Sequence, residues 1–423
     1  MRSVPDGLTG AIMALEGISD SCVMLHGPGG CRIRHMVHSS AAYTREAQDR
    51  DIDYSEPYFF GYPRVPATYL DEYDYINGAY YKLEEGMGET RRRAPGLVAV
   101  LNSPGAGLIG DDIEKAAESA GFQCPTVLIE SPLASTPMPV SVGSTLRSVM
   151  ESLAPVRGDV RQGTVVLLGL SIIDKDWMSA REELTGYLED MGLDVVCCPG
   201  AGSSVAEMAA SVDAEYAVMV CPEMCSGLSE YYSDMGVTVI RSESGAPAGL
   251  DATEAWVRKV AEVTGRDPSK ALGRISACRA RIRDRFLGMR YNSVRIRGLT
   301  FSIAGTTSVV RPLTEWLYGY LAMAPAAVVC DDGGDAREES ALRRFLESAG
   351  YGDAYGREPE TGCDVVLCDG ITACTMALDG DCRIGVPIGY SSMGLDDMIP
   401  RPVYGTGGVL YILDEILHGV RGT

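Results

Sequence analysis

The sequence predicts an α/β protein with parallel sheets, laid out in three consecutive blocks. Three observations carry this. Short apolar runs recur along the chain and end in glycine- or proline-rich turns. Stretches of helical patterning separate them, the alternation of parallel α/β sheets. The length, 423 residues, exceeds a single core, and two or three domains of roughly 100–200 residues are expected. Each block reads as a Rossmann-like unit, and the expected domains are 1–155, 156–290 and 291–423.

In the first block, residues 22–25 and 97–101 read as strands. The first runs straight into His26-Gly27-Pro28-Gly29-Gly30-Cys31. Glycine lets the backbone come close to a bulky ligand. A thiolate held there suits a soft metal such as the iron of an iron–sulfur cluster. The same residues also describe an ordinary strand-to-helix turn with a half-buried thiol. Residues 111–120 read as a helix that opens on Asp111 and Asp112, where acids complement the helix dipole. Between these elements lie Tyr54, Tyr58, Tyr62, Tyr69, Tyr73, Tyr75, Tyr80 and Tyr81. That density describes either an interface or pocket wall or an irregular loop over the core.

Residues 131–142 carry Pro132, Pro137 and Pro139 and read as a crossover. In the second block, strands are expected at 165–169, 194–197, 216–221 and 237–240, with helices at 176–191, 205–211 and 228–234. One helical stretch, 253–289, leads to the third block. Its end and the turn after it are basic: Arg279, Arg281, Arg283, Arg285, Arg290, Arg295 and Arg297. This is either a solvated face paired with acids or an anion-binding wall, since the planar arginine fork suits carboxylates and phosphates. In the third block, 301–304, 326–330 and 365–368 read as strands. Residues 314–320, 338–348 and 409–417 read as helices.

Composition narrows the function. Apolar residues make up 46% and charged residues 22%, as in a folded globular protein. The formal net charge of −21 argues against a nucleic-acid partner. No apolar run approaches the roughly 18–20 residues of a membrane span, and the first residues lack the apolar region of a signal peptide. A cytoplasmic location is expected. The thirteen cysteines then read as buried thiols or metal ligands rather than disulfides. No glycine loop is followed by Lys-Ser or Lys-Thr, so any ATP chemistry must lie on another chain. His26, His35 and His38, three of the four histidines, flank Cys31, but paired Cys-x-x-Cys spacing for zinc is missing.

Four segments together resemble a known family, nitrogenase component 1. It includes the molybdenum–iron protein subunits, the scaffold pair that matures their cofactor, light-independent protochlorophyllide reductase and nickel-sirohydrochlorin diamide reductive cyclase. Leu25-His26-Gly27-Pro28-Gly29-Gly30-Cys31 is similar to the family's His-Gly-Pro-x-Gly-Cys. Asp74-Tyr75-Ile76-Asn77-Gly78-Ala79-Tyr80-Tyr81-Lys82-Leu83 resembles Val-Phe-Gly-Gly-x-x-Lys-Leu in divergent form. Gly107-Leu108-Ile109-Gly110-Asp111-Asp112-Ile113 resembles its Gly-Leu-Ile-Gly-Asp-Asp-Ile closely. Ile384-Gly385-Val386-Pro387-Ile388 with Arg401-Pro402-Val403-Tyr404-Gly405 resembles Gly-Phe-Pro-Ile and the helix start that follows it.

The resemblance implies three Rossmann-like domains around a central cleft. It also implies an iron–sulfur cluster, of 4Fe–4S type, shared between subunits. Cys31 matches the middle of the family's three cluster cysteines, with Gly29 and Gly30 beside it. The cysteine before Gly-Leu-Ile-Gly-Asp-Asp would fall at Pro104, which cannot ligate, and Ser103 is a poor substitute. The first would fall near Pro5 or Asp6, and an aspartate ligand is known in one family member. A homologous partner subunit, in a heteromer rather than a homodimer, would supply the missing thiolates. A separate ATP-dependent iron–sulfur reductase protein would supply electrons. Cys221 stands near the position where some members present a cysteine to a large metallocofactor, and the alternative is a thiol at a strand end. The cleft would hold a second metallocofactor or a tetrapyrrole. The resemblance thus implies a subunit of a two-component reductase or, alternatively, a non-catalytic scaffold for metallocofactor assembly.

Overall fold

The computed structural model describes all residues except 1, 3, 32–64, 93–94, 131–132, 290–295, 360–361, 391–396 and 422–423. His35, His38, Tyr54, Tyr58, Tyr62, Arg290 and Arg295 lie outside the described residues. Three parallel sheets follow one another along the chain.

The first holds β1 (Ser21–His26), β2 (Leu97–Asn102) and β3 (Thr126–Ile129), in the order β1-β2-β3. Every residue of β1 and β2 is buried, as their unbroken apolar runs demand of strands covered on both faces. The register pairs His26 with Asn102, so the two strands end level.

The second sheet is ordered β5-β4-β6-β7, from β4 (Arg161–Leu168), β5 (Asp194–Cys197), β6 (Ala214–Met219) and β7 (Thr238–Ile240). The third is ordered β11-β10-β8-β9, from β8 (Thr300–Gly305), β9 (Ala324–Cys330), β10 (Cys363–Cys368) and β11 (Cys382–Pro387). Both sheets wind alike: the block's first strand is central, with the second on one side and the third on the other. A crevice of ligand-binding type opens where such winding reverses, beyond the carboxyl ends of the first and third strands. These ends are Leu168 and Met219 in one sheet, Gly305 and Cys368 in the other.

Several helices differ from expectation, three of them informatively. Gly7–Glu16 is a helix in which all residues are buried. Met138–Leu153 is a helix whose start falls within the expected crossover, because Pro137 and Pro139 occupy its opening positions, where proline's missing N–H costs nothing. The stretch 253–289 divides into Leu250–Thr264 and Ser269–Met289. Gly265 takes a left-handed conformation at the end of the first, and Pro268 precedes the second.

Candidate functional site

The site is built at the carboxyl ends of β1 and β2. β1 delivers His26 into the core, where it is wholly buried. Its Nδ1 lies 3.0 Å from the Thr68 hydroxyl and its Nε2 3.2 Å from Asp111 Oδ2. The same Asp111 oxygen accepts the Ala79 N–H at 2.9 Å. Asp112 instead caps the helix Ile113–Ala120 by accepting the Lys115 N–H. The two adjacent acids therefore do different work. One clasps the histidine of the glycine loop to the segment at Ala79; the other starts a helix. Burial lowers the pKa of His26, and the Asp111 charge opposes that shift.

The Asp74 segment is fixed separately. Asp71 and Asp74 form a capping box on the helix Glu72–Asn77. Lys82 Nζ reaches the buried Asp74 at 2.5 Å, and the Tyr81 hydroxyl donates to it at 3.0 Å.

The loops after β1 and β2 touch. Ser103 N–H donates to His26 O at 2.8 Å. A Cβ on Gly27 would stand 2.6 Å from Ser103 Oγ, so only glycine fits there. Ser103 is fully buried, and its hydroxyl accepts the Ala106 N–H. It serves the turn beneath the loop. Above it, Cys31 is half-buried in the turn that begins at Gly29. A Cβ on Gly30 would meet nothing within 4 Å, which leaves the loop open at that point. Tyr75 approaches from the tyrosine-rich segment. Its hydroxyl lies 2.7 Å from where a Gly105 Cβ would be, and burial first, then the Cys31 charge, raise its pKa.

Among the described residues of this loop, Cys31 is the thiolate that could hold an iron–sulfur cluster. The donor set at the loop is one thiolate, and among the described residues no group of three His, Cys, Asp or Glu side chains could hold a metal ion. Asp6 is placed as the N-cap of Gly7–Glu16, accepting Thr9 N–H at 2.9 Å and Thr9 Oγ1 at 2.8 Å.

Cys221 lies elsewhere, beyond β6 at the crevice of the second sheet, and is fully buried. Its Sγ is 3.4 Å from both Glu223 Oε2 and Ser308 Oγ. Glu223 also accepts the Ser308 N–H at 2.8 Å and the Ser308 hydroxyl at 2.5 Å. This clamp joins the second block to the third. Burial first, and then Glu223, push the Cys221 thiol well up. Beside it lies a cavity of about 20 Å3, lined in part by Asp174, Lys175, Thr306, Tyr390 and Tyr404. Burial raises Asp174 to about 7.

The residues that sequence reasoning missed are Thr68, Glu223 and Ser308. Each acts through a partner more than 40 positions away, as in His26–Thr68 with a separation of 42, and no local pattern marks them.

The family model described as nitrogenase component 1 type oxidoreductase matches residues 7–367. The chain belongs to this family. A light-independent protochlorophyllide reductase subunit of Rhodopseudomonas palustris (strain BisB5) is 26% identical over 197 residues, covering 43% of this chain and 36% of that protein. The nitrogenase iron-molybdenum cofactor biosynthesis protein NifE of Clostridium pasteurianum is 24% identical over 269 residues, covering 61% and 53%. These alignments thus span between about a third and a half of the relatives' own lengths. The solved structure of nitrogenase Cp1 at pH 6.5 superposes with a TM-score of 0.77 over 100% of this chain and 94% of that one, at 14% identity, and so shares the fold. Three of the four segments that carry the family resemblance meet at His26, Asp111 and Ala79. No helix among the described residues is long and apolar enough to cross a membrane.

Proposed function

We propose that this chain is one subunit of a nitrogenase-like two-component reductase. A separate ATP-dependent iron–sulfur protein delivers low-potential electrons to it, and a homologous subunit completes its cluster site. The substrate is a tetrapyrrole or a metallocofactor. The observation that carries this reading is the half-buried Cys31 at the tip of a clasped, open glycine loop with no second thiolate on the adjoining β2 loop. Cys31 would hold the cluster, with Gly29 and Gly30 giving room, and the cluster would supply one-electron redox chemistry there. This chain's own residues fix the loop: His26, Thr68 and Asp111 below it, Ser103 and Gly27 at its base. Asp6 is a second candidate ligand, already engaged by Thr9. The division at 155 and 290 and a cytoplasmic location are parts of the same proposal.

The test is anaerobic iron and sulfide quantification with EPR, on the chain purified with its homologous partner. Cys31→Ala should lose the iron and the signal while the far-UV circular dichroism spectrum shows the fold retained. Full iron and signal in that variant would overturn the reading.

The scaffold reading draws support from the alignment with the cofactor biosynthesis protein over 61% of the chain. It depends on Cys221, which the Glu223–Ser308 clamp covers. Iron lost in Cys221→Ala but kept in Cys31→Ala would favour it.

A further inference from the structure

A groove of about 770 Å3 opens between the helices Ser269–Met289 and Gly405–Arg421. Its volume falls in the range of small-molecule sites, roughly 300–1,000 Å3. Its lining includes Ile282, Phe286, Leu410 and Leu417, and two arginines, Arg281 and Arg285, one helical turn apart.

The charges along this helix are not alike. Arg274 is matched by Glu183 at 3.1 Å and Asp190 at 3.5 Å. Arg279 is matched by Asp251 at 2.9 Å and Glu254 at 3.0 Å, and Arg283 by Asp284 at 3.2 Å. Arg281 and Arg285 have no acidic partner within salt-bridge distance among the described residues. Of the acids that share the groove, Asp284 pairs with Arg283, and Asp414 lies 3.3 Å from His418, also in the lining, with neither within salt-bridge distance of Arg281 or Arg285. Arg401, at the groove's other wall, is held by Glu415 and Asp397. Like charges one turn apart disfavour a helix unless something neutralises them. In a chain of net charge −21, an unmatched cationic pair over an apolar floor is a local reversal.

We infer that this groove binds a free amphipathic organic anion. Its apolar body lies against Phe286, Leu410 and Leu417, and its carboxylate or sulfonate is held between the guanidinium groups of Arg281 and Arg285. Arginine's planar fork gives charge-assisted, bidentate bonds to such groups. The site uses no residue of the Cys31 loop or the Cys221 clamp, so it stands whether or not the redox reading does.

The probe is 8-anilinonaphthalene-1-sulfonate, titrated by fluorescence into the full chain, with its uncharged analogue N-phenyl-1-naphthylamine as control. The wild-type chain should bind the sulfonate saturably at one site, and decanoate should displace it. The double variant Arg281→Gln/Arg285→Gln should weaken sulfonate binding roughly tenfold or more, the loss of about 1.4 kcal/mol of charge-assisted bonding. The uncharged dye should change less than about twofold. Both arginines are exposed, so the variant should keep the wild-type melting temperature. Non-saturable binding, unchanged sulfonate affinity in the variant, or equal weakening of both dyes would each overturn the inference.

Discussion

Asp111 carries more of the first block than its place in a loop suggests. One carboxylate oxygen serves the buried His26 ring and the Ala79 N–H together. Removing it strands a buried donor, which costs about 1–3 kcal/mol. Asp111→Ala should lose that much in chemical denaturation, with the Cys31 loop loosened as a result. The histidine gives the clasp a pH signature. Burial lowers its pKa in the fold below the unfolded value of about 6.5. Below that value the unfolded chain takes up a proton more readily than the folded one. The stability contribution is therefore complete above about pH 6.5 and is lost as pH falls through the folded pKa. Melting temperatures recorded from pH 7.5 down to 5.5 should fall more steeply for wild type than for His26→Gln, which cannot titrate. Parallel curves would show that the ring does not stay neutral in the fold.

At the scale of elements, most strands were legible, though Thr126–Ile129 and Cys382–Pro387 were not, and neither were the buried helices. β1 and β2 are short, continuous apolar runs that end in turn residues, and each stands where the sequence places it. The helix Gly7–Glu16 shows no polar face because every residue in it is buried, so the 3.6-residue periodicity that marks a surface helix is missing. Its glycines look like breakers. They are contacts instead: a Cβ on Gly10 would stand 2.6 Å from the carbonyl oxygen of Met138, at the start of the helix Met138–Leu153. Gly10→Ala gains helix propensity but forces these two helices apart. It should destabilise by about 1–3 kcal/mol, read as a shift in denaturation midpoint with an unchanged slope. The site divides in the same way. Cys31 and its glycines stand out as a candidate because they are contiguous in the sequence. The Cys221 clamp does not, because Glu223 and Ser308 meet only when the second and third blocks pack, with 85 positions between them.

At the scale of the whole molecule, the proposed shared cluster requires a partner over the Cys31 loop, and the two segments nearest in the fold to that loop carry exposed apolar side chains. Leu70, Ala79 and Ala106 form a small buried cluster, with Ile109 packed against it, that ties the tyrosine-rich segment to the β2 loop. The side chains around that cluster turn outward: Tyr73 is 66% exposed, Ile76 83% and Leu108 89%. Such grouping of large apolar residues on an acidic chain marks a surface that another protein covers. Residues that project this far add nothing to the fold of the single chain, so changing them separates assembly from stability. The double variant Ile76→Asp/Leu108→Asp should keep the wild-type melting temperature when measured alone, since exposed substitutions stay within about 0.5 kcal/mol. Co-expressed with the homologous subunit, it should fail to co-purify, because two charges would be buried in the interface without partners. Iron content should fall with the partner even though Cys31 is intact. Retention of both partner and iron would place the second subunit on another face and leave the Cys31 loop to be completed by this chain's own residues.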